Sequence, residues 1–425
     1  MAHDTDGQTV PSLPALPNPC ENEAAGLNGR PYDEWGGRHL TRPEWVKVND
    51  ILAACNDPVD WGALTKLATS SGGFLDDEVR QVAWPCLLGY KMRSLAEAHH
   101  AHAWHDLPRH KDEDQVELDV NRSFIYYPKN ESEDQLDRRK QDLSAVITQV
   151  LRENPDLCYF QGFHDIVQVF LLVLGVPHAA EAIAHLSLLR IRDFMLPTMN
   201  PSLAHLRLIP SILYSVDPKL CQHLSQTQPF FALAATLTLY AHDIQEYGDI
   251  SRLFDFLLAH GAVISVYFFA VIVLSRREEL FEIPDDEPEM LHSVLSKLPK
   301  PLDLEALISS TMKLVTDHPP EKLPFRAWSR ISCFSVLKTT RGPVHGQTLQ
   351  DGHELLVHQM LQMRRDELRQ RAVSALWKHR RTAGSVGVAV FVGVLSFWLR
   401  RFGWHWLPIM GLKRTAEYLG LLRVR

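Results

Sequence analysis

Apolar residues recur at helical spacing along most of the chain between positions 46 and 275. The segment DRRKQDLSAVITQVLRENP shows the pattern most clearly, since its apolar residues fall at i, i+3, i+4, i+7 and i+8 before an Asn-Pro pair ends it. These residues form one apolar face: Leu143, Val146, Ile147, Val150 and Leu151. Alternating apolar and polar runs bounded by turn residues are nearly absent. The pattern therefore predicts an all-α body over 46–275.

The segments on either side of this body lack its regular spacing. Residues 1–45 are rich in proline, glycine and polar residues, which predicts a disordered tail. Proline returns after Arg276, so we expect residues 276–350 to form a linker with short helices. Apolar residues among many charges predict an amphipathic helix over 351–381.

Two long apolar runs raise the question of a membrane span. The run TAGSVGVAVFVGVLSFWL carries no charge, lies between basic residues and precedes further tryptophans, so we expect a transmembrane anchor at 382–400. Residues 401–425 would follow as a tail, and re-entry of 402–412 into the membrane stays open. The second run, 256–275, is continuous with a helical segment that carries charges. We interpret it as a buried core helix, although membrane insertion stays open because hydropathy alone does not separate the two.

Composition and charge narrow the possible functions. A net charge of −7, with no zinc-finger spacing and no basic stripe, argues against nucleic-acid binding. The six cysteines are scattered without a CxxC pair, and the chain does not start with a secretory signal pattern. These features indicate reduced thiols in the cytosol.

A histidine cluster and a carboxylate pair are weaker candidates for chemistry. The cluster comprises His99, His100, His102 and His105. Such imidazoles can share a metal ion, but no matching cysteine or carboxylate site follows, so we expect an exposed segment and no metal site. Glu117 and Asp119 resemble the carboxylate pairs of acid–base catalysis, yet nothing places them across a cleft. The sequence contains no GxSxG, HExxH or GxxxxGK[ST] motif, so we expect no bound nucleotide.

Three motifs in a fixed order are a more specific signal than these candidates. They are RQVAWPCLLG at 80–89, VELDVNR at 116–122 and YFQG at 159–162. Together they resemble the TBC domain of Rab GTPase-activating proteins, whose fingerprints are RxxxWxxLLG, IxxDxxR and YxQG in that order. The resemblance covers about 76–262, and Val116 replaces the usual isoleucine without touching a catalytic position.

The resemblance implies a helical protein that supplies two side chains to the active site of a GTP-bound Rab. Arg122 stands at the family's arginine-finger position, where a guanidinium offered in trans offsets the charge that accumulates on the phosphoryl oxygens. Gln161 stands at the second finger position, where its amide would orient the attacking water. Mg²⁺ and GTP belong to the partner GTPase, so no cofactor of the chain itself is implied.

The other motif residues are expected to support these fingers or the fold. Asp119 would orient the arginine loop by accepting hydrogen bonds, and Tyr159 would pack to set the pose of the glutamine loop. Gly162 would free the backbone beside that glutamine. Arg80 is expected to pair with a carboxylate and Trp84 to fill the core.

Taken with the C-terminal anchor, the resemblance points to membrane-anchored members of the family. It implies an enzyme activator, not a stand-alone hydrolase, at the endoplasmic reticulum membrane with its catalytic domain facing the cytosol. Its partner would be a Rab of the early secretory pathway in the GTP form. The alternative is a non-catalytic, membrane-tethered helical scaffold that binds Rab GTPases. Both fingers argue against the scaffold, because a protein that only binds needs neither.

Overall fold

The structure, a computed structural model, describes residues 34–35, 38–90, 104–129, 131–340, 346–378 and 380–401 of the 425-residue chain. The chain divides into two compact units, Met1–Gln359 and Met360–Arg425. Nearly all regular structure in the described residues is helical, so the predicted all-α architecture is confirmed.

The first unit contains a series of short and medium helices that begins after a two-residue antiparallel pair, β1 Glu34–Trp35 and β2 Arg38–His39, with Glu34 opposite His39. The helices up to the second motif are α1 Arg42–Ala54, α2 Trp61–Thr69, α3 Asp77–Leu88 and α4 Glu113–Val120. Those up to residue 237 are α5 Glu133–Glu153, α6 Phe163–Leu174, α7 Val176–Leu189, α8 Asn200–Leu206, α9 Leu208–Val216, α10 Pro218–His223 and α11 Leu233–Leu237. The remainder are α12 Tyr247–Ala259, α13 Val263–Ser275, α14 Arg277–Phe281, α15 Pro288–Leu295, α16 Leu304–Asp317, α17 Val336–Thr339 and the first part of α18 Leu349–Lys378. Short 3₁₀ turns lie at Arg192–Phe194, Pro229–Ala232, Pro320–Lys322, Pro324–Arg326 and Trp328–Arg330.

The ordered body starts earlier than the predicted boundary at residue 46, because α1 begins at Arg42. The backbone N–H of Thr41 donates to Glu44 Oε2 at 2.9 Å, and the two residues form a capping box. Such a box satisfies backbone donors that the first helical turn leaves without partners. The sequence TRPE carries this signal within the segment predicted as tail.

The centre of the first unit is an aromatic core formed by α3, α6 and α12. The Trp84 ring lies 5.0 Å from Phe170 and 6.0 Å from Phe254, centroid to centroid, and all three side chains are buried. The predicted apolar face of α5 is also buried within this unit. The first motif, which lies on α3, and the third motif, which precedes α6, are thereby attached to one packed framework.

The apolar run 256–275 lies in this core, but it forms two helices instead of one. Helix α12 ends at Ala259 and α13 begins at Val263, with Gly261 between them. A Cβ atom at Gly261 would lie 2.7 Å from the carbonyl oxygen of Thr340, so the turn passes close to another backbone. Hydropathy reports the apolar content of the run, but it does not indicate that Gly261 passes close to the backbone of Thr340.

The segment predicted as a linker, 276–350, is part of the first unit. Helix α16 packs against α13, and Tyr267 Oη donates to the carbonyl oxygen of His318 at 2.6 Å. Arg252 of α12 pairs with Glu305 of α16 at 2.7 Å. The prolines interrupt the helices here, but they do not show whether the apolar residues between them pack onto a distant helix, and α16 has 14 residues.

The second unit contains the rest of α18 and the helix α19, Arg380–Arg401. Within the described residues, no helix has both the length and the apolar content needed to cross a membrane. The predicted transmembrane helix at 382–400 is therefore not confirmed, although the segment is helical. Its charge-free run is at the short end for a span and is interrupted by glycine and serine, including Gly393 and Ser396. The predicted re-entrant segment 402–412 and the rest of the tail beyond residue 401 lie outside the described residues.

Candidate functional site

A groove of about 650 Å³ opens on the surface of the first unit. Its walls come from the end of α4 and the loop that follows, the N-terminus of α6, and α11 with the turn before it. Arg122 and Gln161, which belong to separate sequence motifs, both line this groove. The fold therefore brings the two predicted finger residues to one site.

Arg122 follows the last turn of α4 and extends into solvent. Its side chain is 63% exposed, its Nη2 donates to Asp119 Oδ1 at 2.5 Å, and its Nε donates to the carbonyl oxygen of Leu118 at 3.3 Å. The guanidinium is mostly solvated while its partner Asp119 is buried, so the pair fixes the orientation of the guanidinium. Arginine carries five N–H donors, and the remaining ones make no hydrogen bond within the described part of the chain. They are available to oxygens of a bound partner.

Asp119 is fully buried and connects the arginine motif to the glutamine motif. Its Oδ1 also accepts from Gln115 Nε2 at 3.0 Å, and its Oδ2 accepts from Tyr159 Oη at 3.0 Å. Burial raises the pKa of Tyr159, and the Asp119 carboxylate raises it further, so the phenol stays protonated and remains a donor. The backbone N–H of Tyr159 donates to Asp112 Oδ2 at 2.9 Å. Asp119 on α4 and Asp112 at the N-cap of α4 thus hold the loop that leads to Gln161.

Gln161 is exposed at the N-terminus of α6, and its amide makes no hydrogen bond within the residues that the structure describes. Gly162 behind it has φ +98°, in the left-handed region that favours glycine. A Cβ atom at Gly162 would lie 2.5 Å from Thr238 Cγ2, which is closer than non-bonded atoms can approach. The glycine therefore lets the loop pass Thr238 closely while Gln161 faces outward.

A pair of histidines and a carboxylate extend the polar lining of the groove. His164 Nδ1 lies 3.1 Å from Tyr159 Oη, and His242 Nδ1 lies 3.0 Å from Asp165 Oδ2. Burial lowers the pKa of His164, whereas the hydrogen bond to Asp165 raises the pKa of His242. Sequence reasoning did not single out these residues. The FHD triplet directly after YFQG was a signal for His164 and Asp165, but not for His242.

Arg80 and Trp84 lie outside the groove and share one buried acceptor, Asp255 of α12. Arg80 Nε lies 3.0 Å from Asp255 Oδ1, and Trp84 Nε1 donates to the same oxygen at 2.8 Å. Burial lowers the pKa of Arg80, but the carboxylates of Asp255 and Asp77 raise it by more, so the guanidinium stays charged. Sequence reasoning expected a carboxylate partner for Arg80 without identifying it. The signal was an aspartate within the apolar stretch LFDFLL.

The structure does not bring the weaker sequence candidates together. Glu117 is exposed whereas Asp119 is buried, so the two carboxylates face different environments. His99, His100 and His102 lie outside the described residues, and His105 is exposed. Among the described residues, no group of three or more histidine, cysteine, aspartate and glutamate side chains is placed to hold a metal ion.

Comparison with known proteins adds two kinds of similarity. The Rab-GTPase-TBC domain family matches residues 77–281, which include all three motifs. The fold is also similar to the crystal structure of the Ypt/Rab-GAP domain of Gyp1p, with a TM-score of 0.54 at 15% identity, over 64% of this chain and 98% of that one. At this identity the likeness concerns the fold alone.

Relatives of known name match over longer stretches. TBC1 domain family member 20 of Bos taurus is 31% identical over 382 residues, covering 85% of this chain and 90% of the relative. The Homo sapiens protein of the same name is 35% identical over 65% of this chain and 68% of its own length. The GTPase-activating protein gyp10 of Schizosaccharomyces pombe is 32% identical over 75% of this chain and 85% of its own length. With three ordered motifs, the fold and these matches, the chain belongs to the TBC domain family of Rab GTPase-activating proteins.

Proposed function

We propose that this protein accelerates GTP hydrolysis by a Rab small GTPase of the early secretory pathway, with Arg122 and Gln161 acting in trans. The observation that carries the proposal is that both side chains line one groove, both are exposed, and each is backed by a buried element. Asp119 backs the arginine and the α6 N-terminus backs the glutamine. The early secretory assignment rests on the sequence resemblance.

The proposed chemistry divides between the two side chains. Phosphoryl transfer builds up negative charge on the γ-phosphoryl oxygens, and the Arg122 guanidinium would offset that charge with planar, permanently charged donors. The Gln161 amide has a carbonyl oxygen and an NH₂ group, so it would both accept from the attacking water and donate to a phosphoryl oxygen. Mg²⁺ and GTP would come with the partner, and the proposal assigns no cofactor to this chain.

A non-catalytic scaffold is the alternative, and a rate measurement distinguishes it from a GTPase activator. Ile125, Tyr126 and Phe230 are exposed apolar residues that line the same groove. Such a rim would favour docking of a GTPase whether or not hydrolysis followed. What favours catalysis is that the exposed Arg122 and Gln161 line the same groove, with Asp119 already bound to Arg122.

The test is single-turnover hydrolysis by a panel of GTP-loaded Rabs with the full-length chain. We expect acceleration of one or a few Rabs, and we expect Gln161→Ala to lower the rate for those Rabs by about 10²-fold, the usual cost of losing one oriented catalytic donor. Gln141→Ala on α5 is the matched control, because Gln141 is also exposed but does not line the groove. Binding without acceleration would favour the scaffold, and an unchanged rate in Gln161→Ala would refute the glutamine role.

Location at the endoplasmic reticulum membrane, with the catalytic unit facing the cytosol, stays a prediction from the sequence pattern and the resemblance. In the second unit, α19 exposes apolar side chains, including Val388, Phe391 and Phe397. Deleting residues from 382 onward is expected to move the protein from the membrane fraction to the supernatant after cell fractionation. Recovery of the full-length chain in the supernatant would contradict the prediction.

A further inference from the structure

Gln168 lies on α6, is only 4% exposed, and uses both ends of its amide on one short loop. Its Oε1 accepts from the backbone N–H of Phe124 at 3.0 Å, and its Nε2 donates to the carbonyl oxygen of Tyr127 at 3.2 Å. The segment 124–127 is therefore held at its first and last residues by a single buried side chain. Buried amide hydrogen bonds of this kind are costly to leave unmade.

The loop between these two hydrogen bonds has little else to fix its tip. Ile125 is 73% exposed and Tyr126 is 40% exposed, so packing of these two side chains does little to fix the loop. Phe124 has φ +60°, a conformation that bulky residues rarely adopt and that persists only when the surroundings hold it. The hydrogen bond from its N–H to Gln168 supplies such a restraint.

The position of this loop relates directly to the two proposed fingers. The loop begins two residues after Arg122, and Gln168 lies two helical turns beyond Gln161 on the helix that presents it. Asp119 restrains Arg122 from the N-terminal side, and Gln168 restrains the chain on the C-terminal side. The amide thus joins the arginine-bearing segment to the glutamine-bearing helix.

We infer that Gln168 is a positioning residue for GTP hydrolysis, which sets Arg122 in register with Gln161. This inference rests on the proposed function. Catalysis by groups offered in trans depends on placement, and a displacement of about 1 Å can cost roughly 10²-fold in rate. Gln168 itself would touch neither the nucleotide nor the attacking water, and it would act through the loop that it holds.

The side-chain chemistry gives a graded series of variants. Methionine has a similar length but neither an N–H donor nor a strong acceptor, so Gln168→Met removes both hydrogen bonds. Gln168→Asn keeps the amide but is one methylene shorter, so it reaches at most one of the two backbone partners. The expected order of activity is therefore the parent first, then Gln168→Asn, then Gln168→Met.

The experiment is steady-state kinetics of the full-length chain with the Rab that it accelerates most. Gln168→Met is expected to lower kcat by roughly 10- to 100-fold, while KM for the GTP-loaded Rab changes by less than about threefold. Gln81→Met is the control for loss of a glutamine hydrogen bond outside the groove, because the exposed Gln81 also donates through Nε2 to a backbone carbonyl, that of Val173 at 2.9 Å. The control is expected to keep the parental kcat.

The double variant separates positioning from general loosening. If Gln168 acts through Arg122, Gln168→Met should cause little further loss in an Arg122→Ala background. An unchanged kcat in Gln168→Met, or an equal fall in Gln81→Met at equal thermal stability, would overturn the inference. If Gln168→Met does not fold, a parental kcat in a folded Gln168→Asn overturns the inference and a reduced kcat supports it. A parent that accelerates no Rab would instead refute the proposed function, so the two failures are distinguishable.

Discussion

Replacing Arg122 by alanine is expected to lower the stimulated rate of GTP hydrolysis by roughly 10³- to 10⁵-fold, the range that arginine fingers supply. The guanidinium would be the positive charge closest to the phosphoryl oxygens. Among the described residues that line the groove, Arg122 is the single arginine or lysine. Arg122→Lys should be nearly as damaging, since an ammonium does not offer the planar pair of donors. Single-turnover hydrolysis at saturating concentrations of the chain measures the effect.

This loss should come without loss of folding. The Arg122 side chain is 63% exposed, and the buried Asp119 keeps its hydrogen bonds from Gln115 and Tyr159 when the arginine is removed, so the melting temperature should stay close to the parental value. Arg138→Ala on α5 is the matched control, because it removes an exposed arginine that does not line the groove. Full activity in Arg122→Lys would show that a point charge suffices and would reject the bidentate role.

Replacing Asp255 by alanine is expected to lower the free energy of unfolding by about 3–5 kcal/mol, the usual cost of breaking a buried ion pair from one side. Asp255 is fully buried and accepts hydrogen bonds from Arg80, from Trp84 Nε1 and from the backbone N–H of Phe74 at 2.9 Å. The variant would leave a buried guanidinium and two further donors without this acceptor. Urea denaturation of the full-length chain, followed by the transition of the first unit, measures the loss.

Two comparisons isolate the cause of that destabilisation. Asp137→Ala on α5 removes an exposed aspartate and should stay within about 0.5 kcal/mol of the parent. Adding Arg80→Met to Asp255→Ala should recover part of the stability, because it removes the uncompensated charge. If the double variant is less stable than Asp255→Ala by the full cost of Arg80→Met alone, the buried charge is not the source of the loss.

Local signals in the sequence were sufficient to predict the helical body and to select the two proposed finger residues. The spacing of apolar residues in α5 and the Ser132 capping box at its start are contained within the helix itself, and its predicted face is buried. The three motifs, read in order, led to Arg122 and Gln161 because motif recognition needs residue type and order but no coordinates. The same reading found the positions of Gly162 and Asp119.

Tertiary structure alone decided which distant groups meet. Asp255 lies 175 positions from Arg80, and nothing local to either residue specifies the pairing. Gln168 reads from sequence as one polar position on an apolar helix, and only the fold shows that its amide holds the loop after Arg122. The packing of 276–350 onto α13 was hidden for the same reason. Helical periodicity and caps act within a few residues, whereas burial, close approach and shared hydrogen bonds depend on chain segments that only folding brings together.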